Sequence, residues 1–170
     1  MESHQINKND FLKNVFENQS IIFKIVNLYA NSTDDRADLK QEILYNLWKA
    51  YPNFKGLSKF STWMYRISIN TAISGIRKSK KHPIIEALSS ENIIEEPITE
   101  VDFLDEQVNE LYKAISKLND IDRALILLYL EKKSYQEIGE IIGISEKNVS
   151  VKLVRIKNKL KQIIKKTFNE

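Results

Sequence analysis

Apolar residues recur at three- and four-residue spacings along most of the chain, and these segments read as helices. Phe11, Leu12, Val15 and Phe16 mark a short amphipathic helix over 10–17. Ser20 is placed to cap a second helix, which carries Ile21, Ile22, Ile25, Val26, Leu28 and Tyr29 and runs to about Asn31. Asn31 through Asp35 form a turn and cap signal, with acids suited to a helix N-terminus. A third helix then runs from about Arg36 to Tyr51, with Leu39, Ile43, Leu47 and Tyr51 toward the core. Pro52 through Gly56 end it and Leu57 through Phe60 form a loop. Ser61 is placed to cap a fourth helix over 62–80, with Met64, Ile67, Ile69, Ile73 and Ile76 inward.

His82-Pro83 stops that helix, because the residue before proline avoids the helical region. Residues 83–102 lack firm helical periodicity. The pattern resumes at Phe103 with Leu104, Val108, Leu111, Ile115 and Leu118. Asn119-Asp120 caps a further helix with Ile121, Ala124, Leu125 and Leu128 inward. Next, Ser134 and Glu137 have the spacing of a capping box, and Ile138, Ile141 and Ile142 follow on one face. Gly143 stands where a helix end needs a positive φ, and Ser145 can cap the last helix, which carries Val149, Leu153, Ile156, Leu160 and Ile163. The prediction is an all-α protein of two small helical domains, 1–82 and 103–170, joined by a flexible acidic linker over 83–102.

The final helix pair, residues 134–161, has the form of a helix-turn-helix whose second helix is basic, with Lys147, Lys152, Arg155, Lys157, Lys159 and Lys161. A helical hairpin with a solvated lysine face would look much the same. Composition narrows the choice. Four glycines and three prolines among 170 residues favour helices. The absence of cysteine excludes disulfides and thiolate metal sites, and His4 and His82 lie far apart in polar surroundings. No apolar run reaches membrane-spanning length and no signal peptide opens the sequence, so a cytoplasmic protein is expected. No Gly-rich phosphate loop, carboxylate pair or nucleophile motif points to an enzyme.

The net charge of +3 hides a strong pattern. Residues 1–81 carry 13 Lys+Arg against 7 acids, and residues 113–170 carry the same numbers. Residues 82–112 carry 9 acids and no Lys or Arg. Within the first basic block, Trp63, Arg66, Asn70, Ser74, Arg77 and Lys81 recur at spacings of 3, 4, 4, 3 and 4, so they share one helix face. An aromatic, an amide, a hydroxyl and cations on one stripe suit single-stranded nucleic acid, where cations follow the backbone and aromatics stack on bases. An ordinary polar surface with one exposed Trp is the competing reading. Trp48 either packs in the core or anchors a protein interface.

Four pieces of the chain resemble the extracytoplasmic-function (ECF) class of bacterial sigma factors, over nearly its whole length. Asp38-Leu39-Lys40-Gln41-Glu42 followed by Trp48 is similar to the D-x-x-Q-E…W helix that docks on the polymerase clamp. Phe60 through Ala72 resembles F-x-T-W-L-Y-R-I-A-x-N-x-A, the helix that binds the melted minus-ten strand. Asp122-Arg123 with Leu125, Leu127 and Leu128, then Tyr135 through Ile138, resembles the family's R-x-x-x-x-L…S-Y-x-E-I-A run. Gly143-Ile144-Ser145, Val149, Arg155 and Leu160 resemble its minus-thirty-five recognition helix. Gly139 stands where the family usually has alanine and is expected to loosen the motif's first helix; Val151, Val154 and Ile156 make the recognition helix unusually aliphatic.

The resemblance implies a sigma factor that directs core RNA polymerase to promoters and helps melt DNA, and that catalyses nothing itself. It implies Lys55, Phe60, Trp63, Arg66, Asn70, Ser74, Arg77 and Lys78 at the melted minus-ten strand, with a flipped base beside the loop over 55–61. Tyr135, Gln136, Lys147, Asn148, Ser150, Val151, Lys152 and Arg155 are implied at the minus-thirty-five duplex, and Asp38, Gln41, Glu42 and Trp48 at the polymerase. The implied partners are core RNA polymerase, through its clamp and flap regions, promoter DNA and an anti-sigma factor. No cofactor, metal or membrane insertion is implied. The acidic linker is expected to thread the polymerase's basic channels. The alternative, a stand-alone helix-turn-helix regulator acting without polymerase, explains residues 134–161 and leaves the 60–81 stripe without a purpose.

Overall fold

The structure, a computed structural model, describes residues 8–81 and 106–168. The expected linker over 83–102 therefore lies outside the described residues. The chain divides into two compact units, 1–91 and 92–170. Among the described residues there are helices and one 3-10 turn, and no strand.

The first unit contains α1 (Lys8–Glu17), α2 (Gln19–Tyr29), α3 (Thr33–Ala50), a 3-10 turn (Tyr51–Asn53) and α4 (Phe60–Lys81). Helix α4 packs on both α2 and α3, which also pack on each other. Two-sided packing gives α4 a wide buried face. Met64 and Ile69 are buried as the pattern predicts, and Thr62, Tyr65, Ser68, Thr71 and Ala72 join them. Ile25, Ile43 and Leu47 complete this core at 0 % exposure. Helix α3 starts three residues before the expected Arg36, because Ser32 and Asp35 close a full capping box. Ser20 and Ser61 do not cap. Asn18 takes the N-cap position of α2, with its side chain turned back to the Asn14 carbonyl at 2.8 Å. Ser61 sits inside the first turn of α4, since the Trp63 amide already donates to the Lys59 carbonyl at 3.1 Å.

The second unit contains α5 (Glu106–Ser116), α6 (Asp120–Leu130), α7 (Tyr135–Ile142) and α8 (Glu146–Phe168). The long α8 packs on each of the other three. Val149, Leu153, Ile156 and Leu160 are buried at the expected spacing, against Ile138, Ile141, Leu125 and Leu128. Asn119 caps α6 by accepting from the Asp122 amide at 2.9 Å. Ile121, expected inward, is 38 % exposed: it lies on the line of Ala124, Leu125 and Leu128 but in the first turn, at the open end of the helix. The Lys157 ammonium lies 3.9 Å from the Tyr129 ring centroid, tying α8 to α6. The Tyr129 side chain raises the Lys157 pKa above the ordinary lysine value.

Candidate nucleic-acid interface

In the second unit the turn follows from local chemistry. The Ser134 hydroxyl accepts from the Glu137 amide at 3.1 Å, and the Glu137 carboxylate accepts from the Ser134 amide at 3.1 Å. Gly143 has φ +84, a left-handed conformation that costs glycine little. The Gly139 carbonyl accepts from both Gly143 and Ile144 amides, at 2.8 and 3.1 Å, closing α7. Ser145 then caps α8 by accepting from the Asn148 amide at 3.2 Å.

Gly139 does not loosen this corner. It is buried, and a Cβ added to it would meet the Ile144 carbonyl oxygen at 2.6 Å. The absence of a side chain lets the α7 backbone lie against the turn. That close approach outweighs the propensity cost of glycine in a helix, about 1 kcal/mol.

On α8, Lys147, Asn148, Val151 and Arg155 are exposed, while Ser150 and Lys152 are half-buried. Tyr135 is half-buried on α7, and the exposed Gln136 donates to Glu140 at 3.3 Å. An exposed helix carrying cations, an amide and an aliphatic side chain near its N-terminus can offer phosphate contacts, base-edge hydrogen bonds and a surface for thymine methyls.

In the first unit, Arg66, Asn70, Ser74, Arg77 and Lys78 are all exposed on α4, and Lys55 is exposed on the preceding loop. The side chain of Lys81 lies outside those described. Trp63 departs from the expected open platform. It is half-buried in a ring cluster with Phe54 at 5.0 Å, Phe60 at 5.3 Å and Tyr51 at 6.3 Å between centroids. Phe11 extends the cluster, 5.0 Å from Tyr51 and 5.0 Å from Trp48. Each such pair adds about 0.5–1.5 kcal/mol beyond area burial. The rings therefore hold the loop over 54–59 to the start of α4 and leave Trp63 only partly exposed.

An open groove of about 520 Å³ runs between α3 and α4. Asn46, Lys49 and Asn53 line one side, and Asn70, Ser74 and Lys78 the other. Thr71 holds the helices together there: its Oγ1 accepts from Asn46 Nδ2 at 3.1 Å and donates to the Ile67 carbonyl at 2.8 Å. Three amides, a hydroxyl and two lysines in one cleft can hydrogen-bond an unpaired base while balancing phosphate charge. Asn46, Lys49 and Asn53 are absent from the sequence expectation. Their spacing on α3 and the 3-10 turn is ordinary, and only the packing of α3 on α4 gives it meaning.

The third group lies along α3. Asp38, Gln41 and Glu42 are exposed, and Trp48 is 41 % exposed with one edge on Phe11. Trp48 is thus neither a core residue nor free. Tyr45, 62 % exposed, fills the same stripe at spacings of 3, 4 and 3 through Asp38, Gln41 and Trp48. That spacing was the available signal for it. Glu42 also lines the α3–α4 groove, so the α3 stripe and the groove share a wall.

Comparisons with known proteins agree with both halves. Residues 15–82 match the Sigma-70 region 2 family and residues 109–160 match Sigma-70, region 4. RNA polymerase sigma factor YlaC of Bacillus subtilis is 29 % identical, over 78 % of this chain and 79 % of its own. The ECF RNA polymerase sigma-E factor of Escherichia coli is 28 % identical, over 87 % of this chain and 85 % of its own. The fold is shared with the sigma factor RpoE of Bartonella quintana, solved in complex with the anti-sigma factor NepR. That match has a TM-score of 0.72 and 22 % identity, and covers 92 % of this chain and 97 % of that one. Region 2 and region 4 matches in this order, with relatives aligned across both, place the chain in the ECF class of the sigma-70 family.

Proposed function

We propose that the chain works as a promoter-directing sigma factor through two DNA grips and one polymerase dock. The observation that carries this reading is the exposed Arg66–Asn70–Ser74–Lys78 face of α4 opening onto the amide-lined groove. A stand-alone duplex-binding regulator has no use for such a cleft.

In this reading residues 1–82 bind polymerase and the minus-ten element, and residues 103–170 read the minus-thirty-five element. Asp38, Gln41, Glu42 and Trp48, with Tyr45 between them, dock on core RNA polymerase. Arg66, Arg77, Lys55 and Lys78 follow the melted strand's phosphates. Asn70 and Ser74 bond an extruded base, while Phe60 and Trp63 support the loop beside it. Base capture offsets an unstacking cost of a few kcal/mol, which lets binding alone favour open DNA. Lys147, Asn148, Ser150, Val151, Lys152 and Arg155 lie along the major groove of the upstream duplex, and Tyr135 and Gln136 reach its backbone. The acidic stretch over 83–102 follows the polymerase's basic channels, guided by charge. Polymerase makes the phosphodiester bonds. The work is cytoplasmic, and an anti-sigma factor covering these surfaces would hold the chain inactive.

Asn70→Ala tests the central assignment. Promoter opening, followed by permanganate reactivity of unpaired thymines, is expected to fall about tenfold or more, the scale of one lost hydrogen bond in a desolvated site. Affinity for core polymerase is expected to stay unchanged. Opening at the wild-type level, or lost polymerase binding, would remove Asn70 from this role.

A further inference from the structure

Helix α8 carries apolar side chains on the side turned away from its own core. Val149, Leu153, Ile156 and Leu160 form its buried line. Ile156 thus belongs to the core, and the aliphatic character of the outer face comes from Val151 and Val154, 43 % and 58 % exposed. Lys147, Val151, Val154 and Asn158 follow one another at spacings of 4, 3 and 4, so they share one face opposite the buried line. Arg155 is exposed beside them. A lone exposed valine is common and means little by itself. Here the other exposed residues of α8 are all polar or charged among the described ones. Valine is also a weaker helix former than lysine, and its exposure leaves little burial within the unit to offset that. A face apolar at its centre and cationic at its margins matches the major groove over A·T pairs. Phosphates rim that groove, and the thymine C5 methyl is the apolar group on its floor.

We infer that Val151 and Val154 set this chain's promoter preference by closing on the thymine methyls of two neighbouring A·T pairs in the minus-thirty-five element. The two residues are three apart, about 4.5 Å along the helix axis. That is close to the base-pair step of about 3.4 Å, so a helix lying along the groove sets one valine over each of two adjacent pairs. Apolar contact discriminates in both directions. A thymine methyl gains a dry neighbour, whereas cytosine would bring its amino donor against a side chain with no acceptor. Lys147 and Arg155 reach phosphates, which are the same at every sequence and position the helix without selecting bases. The valines supply the choice that these cations cannot make.

This inference rests on the sigma-factor reading and deepens its duplex-reading part, and the test separates the two. Promoters are selected by the full chain with core polymerase from a duplex pool randomised across the minus-thirty-five element. Two adjacent A·T pairs are expected in the selected element. Each of its thymines is then replaced in turn by deoxyuridine, which lacks the C5 methyl and keeps every hydrogen-bonding group. The wild type is expected to lose about fourfold in affinity at each of two neighbouring positions, the worth of one buried methyl group. Val151→Ala should make the replacement silent at one of them, and Val154→Ala at the other. A merely structural role for either valine would not distinguish thymine from deoxyuridine. The thermal midpoints of both variants should not fall, given the exposure of the side chains. A selected element without adjacent A·T pairs, deoxyuridine that costs the wild type nothing, or deoxyuridine effects that persist at both positions in either variant would each overturn the assignment. Failure of the wild-type chain and polymerase to select any promoter would instead overturn the sigma reading beneath it.

Discussion

Ser68 shows what single positions contribute. It falls at an alanine of the minus-ten helix pattern, is 0 % exposed, and its Oγ has no hydrogen-bond partner. An unmet buried hydroxyl costs about 1–3 kcal/mol, and alanine is also the better helix former. Ser68→Ala is therefore expected to stabilise the first unit by about 1 kcal/mol or more, read as a higher urea midpoint with an unchanged slope. A lower midpoint would show that the hydroxyl is satisfied in solution. Its neighbours Arg66 and Asn70 were legible from the sequence as outward residues, since α4 has a regular period and two lines of apolar residues. Trp63 was only half legible. The period places it on the polar stripe, but its ring partners Tyr51 and Phe54 lie in a turn and loop with no repeating pattern, and Phe60 is the first residue of α4.

At the scale of elements, the legible features are those whose causes lie within a few residues. The Ser134–Glu137 box, the Gly143 turn and the Ser145 cap all form between residues at most five apart, and each stands as the sequence predicts. The failures are also local, but each turns on a contact that helix propensity and capping patterns do not encode. Whether Ser20 or Asn18 begins α2 depends on how α1 ends, and the role of Gly139 depends on the turn folding back onto α7. From propensity alone, Gly139→Ala should help the helix by about 1 kcal/mol. The contact at 2.6 Å reverses the sign, because the atom it meets is backbone and cannot swing away. Overpacking of this kind costs about 1–3 kcal/mol. Gly139→Ala is expected to lower the stability of the second unit and to weaken promoters that depend on the minus-thirty-five element, while spontaneous engagement of pre-melted minus-ten DNA is retained. Unchanged stability together with unchanged minus-thirty-five dependence would show that the corner relaxes freely.

For the whole molecule, the two basic blocks and the acidic stretch between them form one pattern only if they meet one machine. A free duplex reader gains from the basic helix α8 but nothing from nine acids gathered in residues 82–112. The exposed α3 stripe and the α3–α4 groove both lie in the half that matches region 2, and in the proposed function they serve partners other than duplex DNA. In the proposed reading the units divide labour: one reads double-stranded DNA, and the other docks on polymerase and keeps the strands open. The direct measurement is transcription from fragmented genomic DNA of the source organism with core RNA polymerase alone, with this chain alone, and with both, mapping transcript 5′ ends. Discrete start sites, sharing two upstream elements, are expected only in the mixture. Start sites unchanged by the chain, alongside tight and specific duplex binding by the chain without polymerase, would contradict it.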